Sequence, residues 1–264
     1  MSRETEVAYR RKKVTERDYG ALLTDEVWFL KWQADQMFAL FRDDFERARR
    51  ILDVGAGTCW FAAHMKDRYG KDVLSLDLSA EVMSLGQELY GYSGETFVGD
   101  VRELLATGAR FDLVCCSALL HHVEDLGSFY CDVVNLLCPG GLFVAFNEPR
   151  SPLFLPLQYL HGSWFGRSTR AHGILELPRS AREYLNPLPE GVDWFMLVDY
   201  AKSRRNYEAV LGRHGGEMYA LFVRAKALAW LRTWIFPEAI ILALRRRRTL
   251  KANADRRSEY LCEA

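Results

Sequence analysis

The sequence lacks a net charge of either sign, because 35 Lys and Arg residues balance 35 Asp and Glu residues. A nucleic-acid partner is therefore not expected, since such partners are usually bound by a basic surface. The N-terminus, MSRETEVAYRRKK, lacks the apolar core of a signal peptide. The six cysteines include no C-x-x-C pair. We expect a cytoplasmic protein in a reducing setting, in which Cys115 and Cys116 are small buried apolar side chains.

The glycine-rich turn in ILDVGAGTCWFA, residues 51–62, lacks the marks of a phosphate-binding loop. A dinucleotide fingerprint has a third glycine, G-x-G-x-x-G, where this chain has Trp60. A Walker-type loop ends in Lys-Ser or Lys-Thr, and neither pair follows the turn. Asp53 would repel a pyrophosphate, but its carboxylate suits a ligand with an ammonium group. These residues favour S-adenosylmethionine, which has an ammonium group and no phosphate; the alternative is that Asp53 caps the following helix.

Short apolar runs alternate with helical patterns through the middle of the chain. Strands are predicted in RILDVGA, DVLSLDLS, ETFVGDV, FDLVCCSA and GLFVAFNE. This order predicts an α/β fold with a doubly wound, mostly parallel sheet and helices on both faces. A helix is predicted from Glu26 to Ala48, another in RRNYEAVLGRHGG, and a strand in EMYALFV.

Four regions follow from this order of elements. We expect an N-terminal helical cap at residues 1–48 and a cofactor-binding core at residues 49–149. Residues 150–200 are predicted to form an irregular or helical cover over the acceptor site. Residues 201–264 are predicted to complete the core and to end in a basic helical region that contains Arg245 to Arg248.

Carboxylates follow successive predicted strands, at the edge where open parallel sheets bind ligands. Asp77 ends the second strand, 20 residues after Gly57, and is placed to accept hydrogen bonds from ribose hydroxyls. Asp100 ends the third strand and is placed to accept from an adenine amino group. The alternative for Asp100 is ordinary turn chemistry in the Gly-Asp pair. Ser117 and Asn147 end the fourth and fifth strands at the same edge.

Five segments in order, LDVGAGT, LSLDLS, FVGDV, FDLVCCSALLHHVED and LLCPGGLFVAFNEP, resemble the motifs of class I S-adenosylmethionine-dependent methyltransferases. The closest resemblance is to the type 11 methyltransferase domain, over residues 45–149, with a weaker echo over residues 200–225. It implies a Rossmann-like sheet and a cofactor site made of Asp53, Gly55, Ala56, Gly57, Asp77, Leu78, Asp100, Val101 and Ser117. The family usually has a small residue, often glycine, where this chain has Cys59.

The candidates for catalysis are His121 and His122, after the fourth strand, and Glu148, after the fifth. Either histidine is a candidate general base, although the family usually has histidines here that shape the start of the next helix. Glu148 is placed to reach an acceptor, to pair with Arg150 or to stabilise the cover. His161 and His172 are further candidates within the cover. Adjacent histidines are a poor chelating pair, so no metal site is expected.

The cover is rich in aromatic side chains, which suit either an apolar acceptor site or a small accessory core. They are Phe154, Tyr159, Trp164, Phe165, Tyr184, Trp194 and Phe195. The leading hypothesis is therefore a methyltransferase for a small-molecule acceptor, with a mild preference for oxygen. One alternative is a lipid or glycan-precursor methyltransferase, held at a membrane surface by the basic C-terminal region. Another is a cofactor-binding regulatory protein without transfer activity.

Overall fold

The computed structural model describes residues 8, 30–31, 34–35, 37–150, 181–199, 208–214, 217–223 and 238–248. Within them, six helices are α1 Arg42–Arg47, α2 Trp60–Tyr69, α3 Ala80–Tyr90, α4 Val101–Ala106, α5 Leu126–Leu136 and α6 Ala181–Leu185. Nine strands are β1 Ile51–Val54, β2 Leu74–Asp77, β3 Thr96–Val98, β4 Phe111–Ser117, β5 Leu137–Arg150, β6 Val192–Asp199, β7 Glu208–His214, β8 Glu217–Val223 and β9 Glu238–Arg246.

All nine strands form one sheet, in the order β3-β2-β1-β4-β5-β9-β6-β7-β8. The first five strands are parallel, as predicted. The chain reverses direction at β9, which lies antiparallel between β5 and β6. The sheet order steps outward from β1 to β3 on one side and from β4 to β5 on the other. The point where it reverses, between β1 and β4, is where such sheets bind ligands.

Helices cover both faces of the sheet, as predicted. Neighbouring strand residues point to opposite faces, so Ile51 and Cys115 join one apolar core while Leu52 and Cys116 join the other. The first core includes side chains of α1, α2 and α3, and the second includes side chains of α4, α5 and α6. Because β1 and β4 are buried on both faces, their sequences are almost continuously apolar.

Two predictions of helix in the C-terminal part are wrong. Residues 208–214 of RRNYEAVLGRHGG form β7, and residues 238–246 of the predicted basic helical region form β9. Each of these strands pairs with a strand on both sides, which gives its backbone a full set of hydrogen-bonding neighbours. A short apolar run fits either a buried helix or a buried strand, and periodicity does not separate them. The strand predicted in EMYALFV is confirmed as β8.

The described N-terminal residues pack against α2. Residues 37–40 are helical, and the backbone breaks at Phe41 before α1 begins. His64 Nε2 lies 2.8 Å from Asp35 Oδ1, and the Tyr69 hydroxyl donates to the same oxygen at 2.7 Å. The Phe38 ring stacks on the Tyr69 ring with centroids 3.9 Å apart. The predicted helix over residues 26–48 is therefore observed as two helical pieces where the structure describes it.

The C-terminal arginines of β9 bind groups of the same chain. Arg245 makes a two-point ion pair with Asp44, at 2.8 and 2.7 Å. Arg246 donates to the Leu137 carbonyl, and the arginine that follows it, Arg247, pairs with Asp193 at 2.9 Å. The basic run thus ties β9 to α1, to the end of α5 and to β6. Within the described residues, no helix is both long and apolar enough to cross a membrane.

The cysteines divide into two kinds. Cys115 and Cys116 are free and buried, as predicted. Burial raises the pKa of both thiols, which keeps them neutral. Cys138 is disulfide-bonded, so the reducing setting stays an expectation.

Gly86 of α3 lies against the backbone of the glycine-rich turn after β1. A Cβ atom at Gly86 would lie 1.8 Å from the Thr58 carbonyl oxygen and 2.5 Å from its carbon. Real Cβ atoms do not approach backbone so closely, so only glycine permits this packing. This close contact between Gly86 and Thr58 lets α3 hold the glycine-rich turn in its position at the end of the sheet.

Gly86→Ala should destabilise the protein by about 1–3 kcal/mol, because a backbone clash cannot be relieved by a rotamer change. Gly127→Ala, in α5, is the matched control, since a Cβ there would lie 3.4 Å or more from any neighbour. The control should be neutral or stabilising by up to about 1 kcal/mol, as glycine-to-alanine changes in helices usually are. Urea unfolding of both variants measures the difference, and equal stabilities would contradict the packing described.

Candidate active site

The glycine-rich turn between β1 and α2 is held on β2. The amides of Gly55 and Ala56 donate to the Leu76 carbonyl at 2.8 and 3.0 Å. Gly55 and Gly57 have φ values of 71° and 53°, a left-handed conformation that favours glycine. A side chain at Gly55 would also meet Leu119, whose Cδ1 would lie 2.8 Å from the added Cβ. Both predicted glycines are thus required by backbone geometry.

Cys59 adopts the conformation for which the related motif uses glycine. Its φ of 56° and ψ of 22° are left-handed, and it is the residue that precedes α2. The side chain is fully buried among the apolar residues of the first core. Burial raises the pKa of the thiol from 9.0 to about 11, so it packs as a neutral group. The Cys59 side chain therefore packs into the core while its backbone takes a conformation that favours glycine.

Asp77 joins the turn to the end of β2. Its Oδ2 accepts from the Gly57 amide at 2.8 Å, and its Oδ1 accepts from the Ser79 amide at 3.0 Å. Hydrogen bonds from backbone N–H groups to a carboxylate are among the stronger ones in proteins. Asp77 also lines the cavity described below. Its carboxylate therefore fixes the turn and faces the ligand space at once.

Asp53 is a buried carboxylate of β1, with 2% of its surface exposed. No described residue donates a hydrogen bond to its side chain. Burial and, to a lesser extent, the nearby charge of Asp77 raise its pKa well above the ordinary value of 3.8. A buried acid of this kind is stabilised by a cationic ligand, because the cation restores the interactions that burial removes.

Asp100 caps α4. Its Oδ1 accepts from the Glu103 amide at 2.9 Å, and the Glu103 carboxylate accepts from the Asp100 amide at 2.8 Å. This reciprocal pair is a capping box, a structural role different from the Gly-Asp turn chemistry given above as the alternative for Asp100. Asp100 nevertheless also lines the cavity. Helix capping and contact with a ligand are compatible here.

A cavity of about 340 Å³ opens at the carboxyl ends of β1, β2, β3 and β4. Five of the predicted cofactor residues line it, namely Gly55, Asp77, Leu78, Asp100 and Val101. The other four, Asp53, Ala56, Gly57 and Ser117, are not among its lining residues. Apart from His122, the other lining residues were not predicted from the sequence; they include the loop and helix residues Leu119, Val123, Ser128 and Phe129. Apolar loop residues such as Leu119 carry no signal in a single sequence, because only the fold brings them to the cavity.

The cavity lining is rich in carboxylates. Asp77, Asp100, Glu124, Asp125 and Asp132 all contribute, and Arg102 is held by Asp132 at 2.7 Å. Such a lining disfavours a phosphate-bearing ligand and favours a neutral or cationic one. Among the described residues, no group of three or more histidine, cysteine or acidic side chains could hold a metal ion.

The three candidates for catalysis lie together, but only one reaches the cavity. His122 lines it. His121 Nδ1 lies 3.0 Å from Glu148 Oε2, and the two histidine rings are 4.0 Å apart at their centroids. Glu148 has 0% exposure and accepts hydrogen bonds from the amides of Leu119 and Leu120. The buried Glu148 carboxylate therefore contacts the loop after β4 and does not line the cavity.

Part of the predicted cover belongs to the core. Tyr184 and Trp194 are buried in the second apolar core, and Phe195 contacts Phe41 edge to face at 5.8 Å. These three aromatic residues fit the accessory-core alternative. The remaining aromatics of the cover, together with His161 and His172, lie outside the described residues.

Cys59→Gly and Cys59→Ala test the strained residue of the turn. Both remove the sulfur, but only alanine keeps a Cβ in the left-handed conformation. Glycine should therefore be the more stable of the two by about 1–2 kcal/mol. Thermal unfolding of the pair measures this difference directly. An alanine variant as stable as the glycine variant would contradict the left-handed conformation.

Comparison with known proteins agrees with this geometry. Residues 52–145 match the type 11 family described as Methyltransferase domain. The ubiquinone biosynthesis O-methyltransferase of Alkalilimnicola ehrlichii is 36% identical over 122 residues, which are 42% of this chain and 49% of that protein. The norajmaline N-methyltransferase of Rauvolfia serpentina is 26% identical over 110 residues, or 40% of this chain and 38% of that protein. The chain spans about half the length or less of these relatives.

Solved structures resemble the whole fold. The plantazolicin methyltransferase BpumL, in complex with S-adenosylhomocysteine and a desmethyl analogue of plantazolicin, has a TM-score of 0.61. The superposition covers 93% of this chain and 97% of that one at 10% identity, so it bears on the fold alone. The sequence match over residues 52–145, the sheet order and the geometry of the glycine-rich turn all indicate the same kind of domain. Residues 52–145 thus match a methyltransferase domain family in sequence, and the fold around them is that of a solved S-adenosylhomocysteine-bound methyltransferase.

Proposed function

We propose that this protein is an S-adenosylmethionine-dependent methyltransferase that acts on a small-molecule acceptor, with oxygen as the preferred acceptor atom. The observation that carries the proposal is Asp53, a buried carboxylate with a raised pKa beside a left-handed glycine turn. An α-ammonium group is the ligand feature that such an acid selects. The acidic cavity next to it suits an adenosine group without phosphates.

Each part of the bound S-adenosylmethionine is assigned to particular residues of this chain. Asp53 holds the ammonium group, and Asp77 accepts from ribose hydroxyls while it anchors the Gly57 amide. Asp100 and Val101 face the adenine, with Leu119 as an apolar wall of the cavity. When bound, S-adenosylmethionine supplies an activated methyl group for in-line displacement. The protein's task is then to align donor and acceptor, and to exclude water.

The acceptor's proton needs a base if the attacking atom is a hydroxyl oxygen. His121 and His122 are the nearest candidates, since both follow β4 next to the cavity. As the carbon–oxygen bond forms and the carbon–sulfur bond breaks, the proton of the acceptor passes to the imidazole. Glu148 is buried and does not line the cavity, so we assign proton transfer to a histidine.

Oxygen is preferred because several relatives are named as ubiquinone biosynthesis O-methyltransferases. N-methyltransferases of Rauvolfia serpentina also match, at lower identity. A small-molecule acceptor is preferred over a membrane-bound one for a structural reason. Arg245, Arg246 and Arg247, which suggested membrane contact, bind carboxylates and carbonyls of the same chain.

The direct test is calorimetric binding of S-adenosylhomocysteine, followed by a screen of phenol, amine and thiol acceptors with labelled S-adenosylmethionine. We expect binding of S-adenosylhomocysteine and no comparable binding of NADH. Binding without any methylated product would favour a regulatory cofactor-binding protein. Sedimentation with anionic liposomes at low salt would favour a lipid-linked acceptor.

Two variants separate the parts of the cofactor site. Asp53→Asn should weaken S-adenosylhomocysteine binding about tenfold or more, because a charge-assisted contact to the ammonium is lost. It should leave the binding of 5′-methylthioadenosine unchanged, since that ligand lacks the amino-acid group. Asp77→Ala should weaken both ligands, because both carry the ribose. Equal losses for the two ligands in Asp53→Asn would contradict the role given to Asp53.

The raised pKa of Asp53 also has a consequence for stability. In the ligand-free protein the carboxylate is destabilised by burial when ionised, so stability falls as pH rises through its raised pKa. Asp53→Asn removes that charge and should raise the Tm of the ligand-free protein at pH 7. The gain should shrink as pH falls toward the ordinary aspartate value. Thermal unfolding across this pH range measures it, and a lower Tm at pH 7 would contradict the assignment.

A further inference from the structure

We infer that Glu148 is a positioning residue, which clamps the loop after β4 and fixes His121 as the tautomer protonated at Nδ1. This role rests on the proposed function, in which His121 is one of the two candidate proton acceptors. The Glu148 carboxylate is fully buried, and its hydrogen-bond donors are consecutive backbone amides of this loop. It has no place in the cofactor contacts described above.

The backbone of β5 aims Glu148 at this loop. Pairing between β5 and β9 shifts register between Ala145 and Glu148, which marks a bulge. Asn147 lies in that bulge with a left-handed φ of 58°. A bulge of this kind turns the following side chain away from its regular direction. Glu148 is thereby directed toward the end of β4. There the amide of Ala118, the first residue after β4, donates to the Phe146 carbonyl at 3.0 Å.

The loop after β4 presents its amides to the carboxylate. Ala118 has a left-handed φ of 51°, which is unusual for alanine and turns the chain at the end of β4. Glu148 Oε1 then accepts from the amides of Leu119 at 2.7 Å and Leu120 at 2.8 Å. Oε2 accepts from the His121 amide at 3.2 Å. Backbone N–H groups can only donate, so this arrangement needs an acceptor at both oxygens.

His121 completes the set through its ring. Its Nδ1 lies 3.0 Å from Oε2, the same oxygen that faces its own amide. An ionised carboxylate only accepts, so Nδ1 must carry the hydrogen. In the neutral ring, Nε2 is then the nitrogen that can take up a proton. A buried carboxylate that orients a histidine in this way is a recurrent arrangement in acid–base catalysis.

The clamp also reaches the cofactor cavity. Leu119, held by Oε1, packs against Gly55, and both line the cavity. His122, the residue after the one that bonds to Oε2, lines it as well. Displacement of the loop would therefore move one wall of the cofactor site. Glu148 affects the cofactor through Leu119 and the chemistry through His121.

Glu148→Gln separates these two effects. The two shortest bonds favour placing the glutamine oxygen at the amides of Leu119 and Leu120. Its NH₂ group then faces His121 Nδ1, which must become the acceptor, and the ring switches to the tautomer protonated at Nε2. The His121 amide loses its acceptor in this variant, but the two bonds to Leu119 and Leu120 that hold the cavity wall are kept, so S-adenosylhomocysteine affinity should change less than about threefold. Glu148→Ala removes every bond and should weaken that affinity about tenfold or more.

The experiment is long-range ¹H–¹⁵N NMR of the histidine rings at a pH where they are neutral, with His121→Gln to assign the signal. We expect Nδ1–H for His121 in the natural protein and Nε2–H in Glu148→Gln. An Nε2–H ring in the natural protein, or an unchanged tautomer in the variant, would overturn the inference. This readout is valid even if Glu148→Ala does not fold.

Calorimetry with S-adenosylhomocysteine completes the test. Tyr130→Phe is the control for stability alone, because it removes a buried hydrogen bond to the Tyr184 carbonyl outside the cavity lining. Tyr130→Phe should leave the affinity for S-adenosylhomocysteine unchanged, even if it lowers the Tm. An equal loss of affinity in this control and in Glu148→Ala would mean that Glu148 only stabilises the fold, which would contradict its role in positioning the loop. No binding by the natural protein would instead count against the proposed function, and the tautomer measurement would stand apart from it.

Discussion

The hydrogen bond from the Gly57 amide to Asp77 is the contact on which the cofactor site depends. It joins the turn after β1 to the end of β2, and the Ser79 amide holds the same carboxylate from the other side. The turn can approach the end of β2 this closely because Gly55, Gly57 and Cys59 all take left-handed conformations. Gly86 then allows α3 to rest directly on the Thr58 backbone. These three contacts hold the turn in place, and a rigid turn is what a site for a small ligand requires.

Stability and binding oppose each other at Asp53. A carboxylate buried without a hydrogen bond from any described residue weakens the ligand-free fold. In the proposed complex the ammonium group of the ligand would supply the partner that replaces the lost solvation. Asp77 and Asp100 differ, since backbone amides already stabilise their carboxylates. The three acids found in sequence therefore have distinct physical tasks, although their positions at strand ends look alike.

The sequence was sufficient to predict the part of the fold that is built from local signals. The strands β1 to β5 and the helices α2, α3 and α5 follow apolar periodicity, which stops at Gly70 after α2 and at Gly91 after α3. The short helix α4 between β3 and β4 was not predicted. The strand β9 was missed because its state is set by partners far along the chain, such as Leu142 opposite Arg245. The strand β7 was missed for another reason, since its partner β8 follows it directly and its own residues fit a helical pattern as well. Leu119 and Phe129 were missed as cavity residues for the same reason as β9. The left-handed state of Cys59 was also hidden, because cysteine gives no sign of such a conformation.

Glu148 shows how the two halves of the sheet meet at the site. Its direction depends on the bulge in β5, and the bulge exists where β5 pairs with β9. That strand is in turn fixed by Arg245 on Asp44 and by Arg246 on the end of α5. The C-terminal arginines and the loop that carries His121 are therefore linked by one continuous set of backbone pairings. Because the antiparallel extension places the bulge, it does more than cover the edge of the sheet: it helps set the geometry of the loop after β4.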